Sequence, residues 1–110
     1  MKIALGDTEF FDRQAFSGNV YVGKNADKGF NALLVECLTR HYKTKLTGAT
    51  RVYLVLEGSG VFTINGQRDN ADQYDLFVIS DGDSYEYEGR MKLFEFNVPA
   101  TDGSNEENLE

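Results

Sequence analysis

The sequence predicts an all-β fold, a single-domain sandwich or barrel, and three observations carry that reading. Turn signals built from Gly, Asn, Asp and Ser recur roughly every eight to twelve residues. Between them apolar side chains alternate, as in Arg51-Val52-Tyr53-Leu54-Val55-Leu56, and a period of two sends successive side chains to opposite faces of a strand. No stretch pairs a helical apolar period with a capping pattern. With 110 residues there is room for one domain around one core.

Taken in order, residues 2–5 and 18–23 read as short edge strands separated by Gly, Asn and Asp turns. From Phe30 to Tyr42 apolar residues fall on both parities, which predicts one long strand buried on both faces. The stretch Arg51 to Gln67 reads as a strand, a glycine-spaced turn Glu57-Gly58-Ser59-Gly60, a second strand Val61 to Ile64, and an Asn65-Gly66 hairpin. Asp75 to Ile79 is a strand and Ser80 to Asp83 a turn. Ser84 to Glu88 is a short strand, Gly89 a turn, and Met91 to Val98 the last strand before Pro99. Residues 1–100 form the domain, and 101–110, with three carboxylates in its last six residues, read as an acidic, flexible tail.

Periodicity sorts the faces. If Leu33, Val35 and Cys37 point inward, then Thr39, His41 and Lys43 follow them. Arg51, Tyr53 and Val55 share one face, and Val52, Leu54 and Leu56 the other. Both faces are therefore partly apolar, and the outward row calls for cover from the N-terminal strands or from a second subunit, as in a homodimer.

Composition removes several functions. Eighteen acidic against 11 basic residues leave a formal charge of −7, the wrong sign for a nucleic acid or an anionic membrane. The single cysteine, Cys37, excludes an internal disulfide, fits a reducing compartment and reads as a small core residue. The apolar run before Asp7 is too short for a signal peptide and no segment reaches membrane-spanning length, so a cytoplasmic location is expected. Nucleophile triads, phosphate-cradling glycine loops and paired-cysteine zinc spacings are absent.

VYLVLEGSGVFTINGQ followed by YDLFVISDGDSYEYEG resembles the two consecutive motifs of the cupin family, over residues 35–99. The resemblance implies a jelly-roll-like double-stranded β-barrel, often dimeric, with a pocket in the barrel mouth. It also locates departures. Anchored on Gly58, the family's metal-binding Glu position is Arg51, and its paired His positions fall on Thr44 and Leu46 or on Lys45 and Thr47. Anchored on Gly82, the second-motif His position is Tyr85, with Ser80 at the Pro, Tyr74 at the leading Gly and Gly89 at the final Asn. The only histidine, His41, lies upstream, and one imidazole does not hold a transition metal alone. No metal and no other cofactor is expected.

Arg51 inside a barrel must meet an anion, because a bare buried guanidinium costs several kcal/mol. One reading pairs it internally with Glu36, Glu57 or Glu95, or buries its stem and lets the head reach water. The other makes it a bidentate fork for a ligand's carboxylate or phosphate. On the second reading Lys43, Arg51, Tyr53 and Tyr87 bind a small anionic or sugar-like molecule. His41 and Tyr85 are then the candidate base and acid of a metal-free isomerase, epimerase or lyase. A scaffold that only docks a partner is the remaining alternative; it requires Arg51 to be occupied internally and no cavity to be left.

Overall fold

Strands β5 (Thr50–Ile64) and β8 (Ser84–Val98) form the spine of the molecule, antiparallel to one another along nearly their whole length. The computed structural model describes residues 1–110. Around the spine lie β1 (Glu9–Asp12), β2 (Phe16–Val22), β3 (Asn31–Cys37), β4 (Arg40–Leu46), β6 (Gln67–Ala71), β7 (Leu76–Ile79) and β9 (Glu106–Asn108). The later half of β8 pairs with β3, which extends through β2 to β1, while its earlier half pairs with β4 and so with β9. On the other side of the spine β5 pairs first with β7 and then with β6. The result is one curled sheet whose two halves share the long strands and close over a common core.

What lets two 15-residue strands serve both halves is a glycine corner. Gly60 and Gly89 face each other across the spine. A Cβ on Gly89 would lie 2.6 Å from the Gly60 Cα, and one on Gly60 would overlap the Glu88 carbonyl. Gly89 also holds φ at +116°, which side-chain-bearing residues avoid. The glycine-spaced segments predicted as turns at 57–60 and 89 are thus bends inside continuous strands. A register shift between Val55 and Glu57 completes the bend. The Asn65-Gly66 hairpin forms as predicted, with both residues at positive φ.

Three other expectations change. The long strand predicted over 30–42 is broken at Leu38-Thr39 into β3 and β4, which belong to different halves. Residues 2–5 are not a strand; the first one is Glu9–Asp12. The acidic chain end, read as a flexible tail, is laid down as β9 on β4, with Glu110 bridging Arg40 and accepting from the Lys43 backbone N–H at 2.6 Å.

The core holds Val35, Cys37, Leu46, Tyr53, Val55, Phe62, Ile79, Tyr85, Tyr87, Met91 and Leu93. Burial pushes the Cys37 thiol up to about 11, so it is an inert core residue. The outward row Val52, Leu54 and Leu56 is half-buried, and Leu76 and Val78 beside it stay 57% and 48% exposed. No helix of the chain is long and apolar enough to cross a membrane.

Candidate functional site

At one end of the barrel a single rung of the sheet is polar across three strands. Asn31 of β3 sits opposite Asn97 of β8, and Asn97 opposite Arg51 of β5. All three are buried because they occupy the inward parity of their strands, in step with Val35, Leu93 and Val55. Arg51 Nε donates to Asn97 Oδ1 at 2.6 Å and lies 3.5 Å from Glu95 Oε2. Its Nη1 donates to Tyr85 Oη at 2.8 Å and to Glu106 Oε1 at 2.5 Å, and its Nη2 to Thr101 Oγ1 at 3.3 Å. Of the five N–H groups a guanidinium offers, one is left. Burial works against the charge, yet Glu95, the tyrosines and Glu106 outweigh it and raise the Arg51 pKa.

The opposite wall comes from β4. His41 faces Tyr87 in register and is 6% exposed, packed between Phe16 at 4.5 Å and Tyr87 at 5.0 Å between ring centroids. Its Nδ1 stands 2.7 Å from the Tyr42 carbonyl oxygen. A carbonyl can only accept, so Nδ1 carries the proton and Nε2 keeps a lone pair with no hydrogen bond engaging it. Burial lowers the His41 pKa below its ordinary 6.5, against the opposing pull of the Tyr42 hydrogen bond and of Glu95 and Glu106. The ring is therefore neutral at pH 7.

Between these walls lies a cavity of about 260 Å³ whose lining includes His41, Arg51, Tyr87, Glu95, Asn31 and Glu106. Two lining residues carry buried polar atoms without a partner, Asn31 Nδ2 and Tyr87 Oη. Such orphans are rare in folded proteins, and each calls for an explanation.

Of the predicted site residues, His41, Arg51 and Tyr87 meet at the cavity. Tyr53 and Tyr85 stand behind them, almost wholly buried, with hydroxyls 3.1 Å apart, and neither lines it. Burial pushes the Tyr85 phenol up to about 12, with Arg51 pulling the other way. Lys43 is exposed and outside the site: a bulge in β4 between His41 and Thr44 reverses the parity, so that Thr44 rather than Lys43 points inward. The sequence reading passes over Asn31, Asn97 and Thr101, and it leaves Glu106 in the tail. For Asn31 and Asn97 a signal was present, a polar residue at the inward parity of an otherwise apolar strand. For Thr101 and Glu106, which reach the site after Pro99 turns the chain, there was none.

No family model matches the sequence, and no curated protein does. Solved structures do. A variant of Streptomyces Pac13 solved with uridine superposes with a TM-score of 0.91 at 21% identity, covering 100% of this chain and 90% of that one. Pac13, a nucleoside dehydratase, gives 0.91 at 22% identity over 100% and 91%. Ectoine synthase from P. lautus gives 0.80 at 10% identity over 100% and 90%, and KdgF from Halomonas sp. gives 0.79 at 10% over 93% and 96%. The chain has the cupin fold.

At the positions where the cupin motifs place metal ligands this barrel carries other residues. The corresponding positions hold Arg51, Tyr85 and either Thr44 with Leu46 or Lys45 with Thr47, and no three His, Cys, Asp or Glu side chains come together in a metal-binding group. A guanidinium already paired with two carboxylates adds charge where a cation would have to sit. What the cavity does present is a neutral imidazole whose Nε2 lone pair has no hydrogen bond, together with the unpartnered Asn31 Nδ2.

Proposed function

We propose that this protein is a small-molecule enzyme that works by proton transfer, with His41 as the base, on a hydroxylated carbonyl compound of monosaccharide or nucleoside size. The single observation that carries this is His41 itself: buried, neutral, its tautomer set by the Tyr42 carbonyl, and lining the cavity. Nε2 takes a proton from a carbon next to the carbonyl, and the electrons of that C–H bond form an enolate. If a hydroxyl sits one carbon further on, the enolate collapses to a C=C bond, the C–O bond breaks, and the imidazolium returns its proton so that water leaves. Tyr87, which lines the cavity and stacks on His41, donates from its hydroxyl to the oxygen that gains charge. No oxidant or metal enters the balance. Pac13 is a nucleoside dehydratase, and its variants solved with uridine replace one histidine or one of two tyrosines; that likeness supports placing the reaction among dehydrations.

A second reading, binding without turnover, has one observation in its favour: Tyr85, the acid predicted from the sequence, is tied to Arg51 and Tyr53. One experiment separates them. A panel of β-hydroxy aldehydes and ketones built on pentoses and nucleosides is incubated in deuterium oxide and followed by proton NMR. The enzyme reading expects deuterium at the carbon next to the carbonyl, or loss of water, in at least one compound, with a drop of about 10²–10⁴-fold in His41→Gln. Binding with no exchange in any of them, or exchange unchanged in His41→Gln, would contradict it.

A further inference from the structure

The orientation of the Asn31 amide is not open to choice. Its Oδ1 receives three donors, the Thr101 backbone N–H at 2.7 Å, Thr101 Oγ1 at 2.9 Å and Asn97 Nδ2 at 3.0 Å. A backbone N–H can only donate, so the oxygen must face it and Nδ2 must face elsewhere. That elsewhere carries no protein acceptor, although Asn31 is 3% exposed. Two N–H donors are thus held rigid beside the cavity with nothing in the chain to satisfy them.

Acceptors stand nearby in the same state. Glu95 lines the cavity and uses only Oε2, for Asn97 Nδ2 at 3.0 Å and for Arg51. Glu106 lines it too and uses only Oε1, for Arg51. Two carboxylates therefore face one guanidinium, and that guanidinium has spent four of its five donors inside the protein. Of the other charged residues around the cavity, Arg13 lies at the exposed rim over the Phe11 ring and Asp102 is paired with Lys24 at 3.3 Å. An anion entering this end would meet an excess of negative charge and no free fork, whereas a hydroxyl, which both donates and accepts, fits both kinds of unpaired atom.

We propose that the Arg51 end of the cavity is a subsite for a neutral vicinal diol, such as that of a ribose, with Asn31 Nδ2 donating to it and Glu95 and Glu106 accepting from it. This deepens the proposed function and rests on it only in taking the cavity as the ligand site. Arg51 is then the positioning residue that holds both carboxylates in place. Of the two sequence readings of Arg51, the internal pairing with Glu95 matches the 3.5 Å contact, and the subsite beside it selects for uncharged hydroxyls rather than for an anion.

The test uses the unaltered protein and three probes that share one base: uridine, 2′,3′-dideoxyuridine and uridine 2′,3′-cyclic phosphate, each titrated calorimetrically. Uridine is expected to bind, dideoxyuridine at least about tenfold more weakly because buried polar groups lose their partners, and the cyclic phosphate, an anion in the place of the diol, more weakly still. Asn31→Asp, which keeps the accepting oxygen and removes both donors, is expected to lower uridine affinity by at least about tenfold. Dideoxyuridine binding within about threefold of uridine, tighter binding of the cyclic phosphate, or no uridine binding at millimolar concentration would each overturn the proposal. Uridine has no carbonyl-activated C–H on its ribose, so these affinities report recognition alone. Exchange chemistry failing while the diol preference holds removes the base role of His41, and the converse removes the subsite.

Discussion

Arg51 and His41 stand on facing walls of one cavity and are opposite in kind. Four of the five guanidinium N–H groups of Arg51 are matched within the protein, by Asn97, Tyr85, Glu106 and Thr101, with Glu95 3.5 Å away. The His41 Nε2 lone pair has no hydrogen bond, and beside the guanidinium the Asn31 amide nitrogen and one oxygen each of Glu95 and Glu106 are left open. A satisfied buried network stabilises and orients, and an unsatisfied one leaves binding capacity for something that is not protein. The difference teaches where to look for function in this barrel: away from the guanidinium, whose donors are nearly all used, and toward the atoms of its neighbours that lack partners.

The largest effect that should sharpen this contrast is on folding. Arg51→Met leaves Glu95 and Glu106 without their cation in the barrel and is expected to lower stability by about 3–5 kcal/mol in urea unfolding. A loss below about 1 kcal/mol would mean the network is not structural and that Arg51 was held for a ligand after all.

A smaller effect separates the two walls by pH. The folded protein binds a proton on His41 less readily than the unfolded chain does, so the unfolded state gains protons first as pH falls through 6.5. Stability contributed by the neutral ring is thus present above that pH and declines below it. Urea midpoints between about pH 7 and pH 5 should fall less steeply in His41→Gln than in the unaltered protein. Equal slopes would show that His41 is not buried neutral. The acid limb of any exchange activity should likewise lie below pH 6.5, the ordinary histidine value.

At the small end, Lys43→Ala is expected to leave uridine affinity and exchange rates unchanged and stability within about 0.5 kcal/mol, because the side chain is exposed beyond the β4 bulge. A tenfold effect on binding, about 1.4 kcal/mol, would bring Lys43 back to the site.

These contrasts also mark what the sequence could express. Strict alternation from Arg51 to Leu56 gave the correct inward set of Arg51, Tyr53 and Val55, because no irregularity interrupts that run. The same rule carried from Cys37 through Thr39 and His41 to Lys43 succeeded at His41 and failed at Thr39 and Lys43, both of which are exposed. The chain breaks at Leu38-Thr39, and the bulge then shifts the count by one, which a periodic pattern has no means of announcing. Glycines at 58, 60 and 89 pointed to places where side chains are not tolerated, and turns and tight strand corners impose that same demand. Glu106 was read as part of a solvated acidic run, although its neighbour Asn105 donates to the Thr47 carbonyl at 2.9 Å and helps seat β9. Contacts between residues that far apart in sequence are set by topology, which the local pattern does not encode.

Side-chain nitrogen NMR during a uridine titration tests the central contrast most directly. The account predicts that the Asn31 Nδ2 and His41 Nε2 resonances move with uridine while the Arg51 Nε–H stays where it is, held by Asn97. Movement of Arg51 Nε with Asn31 Nδ2 unchanged would contradict it.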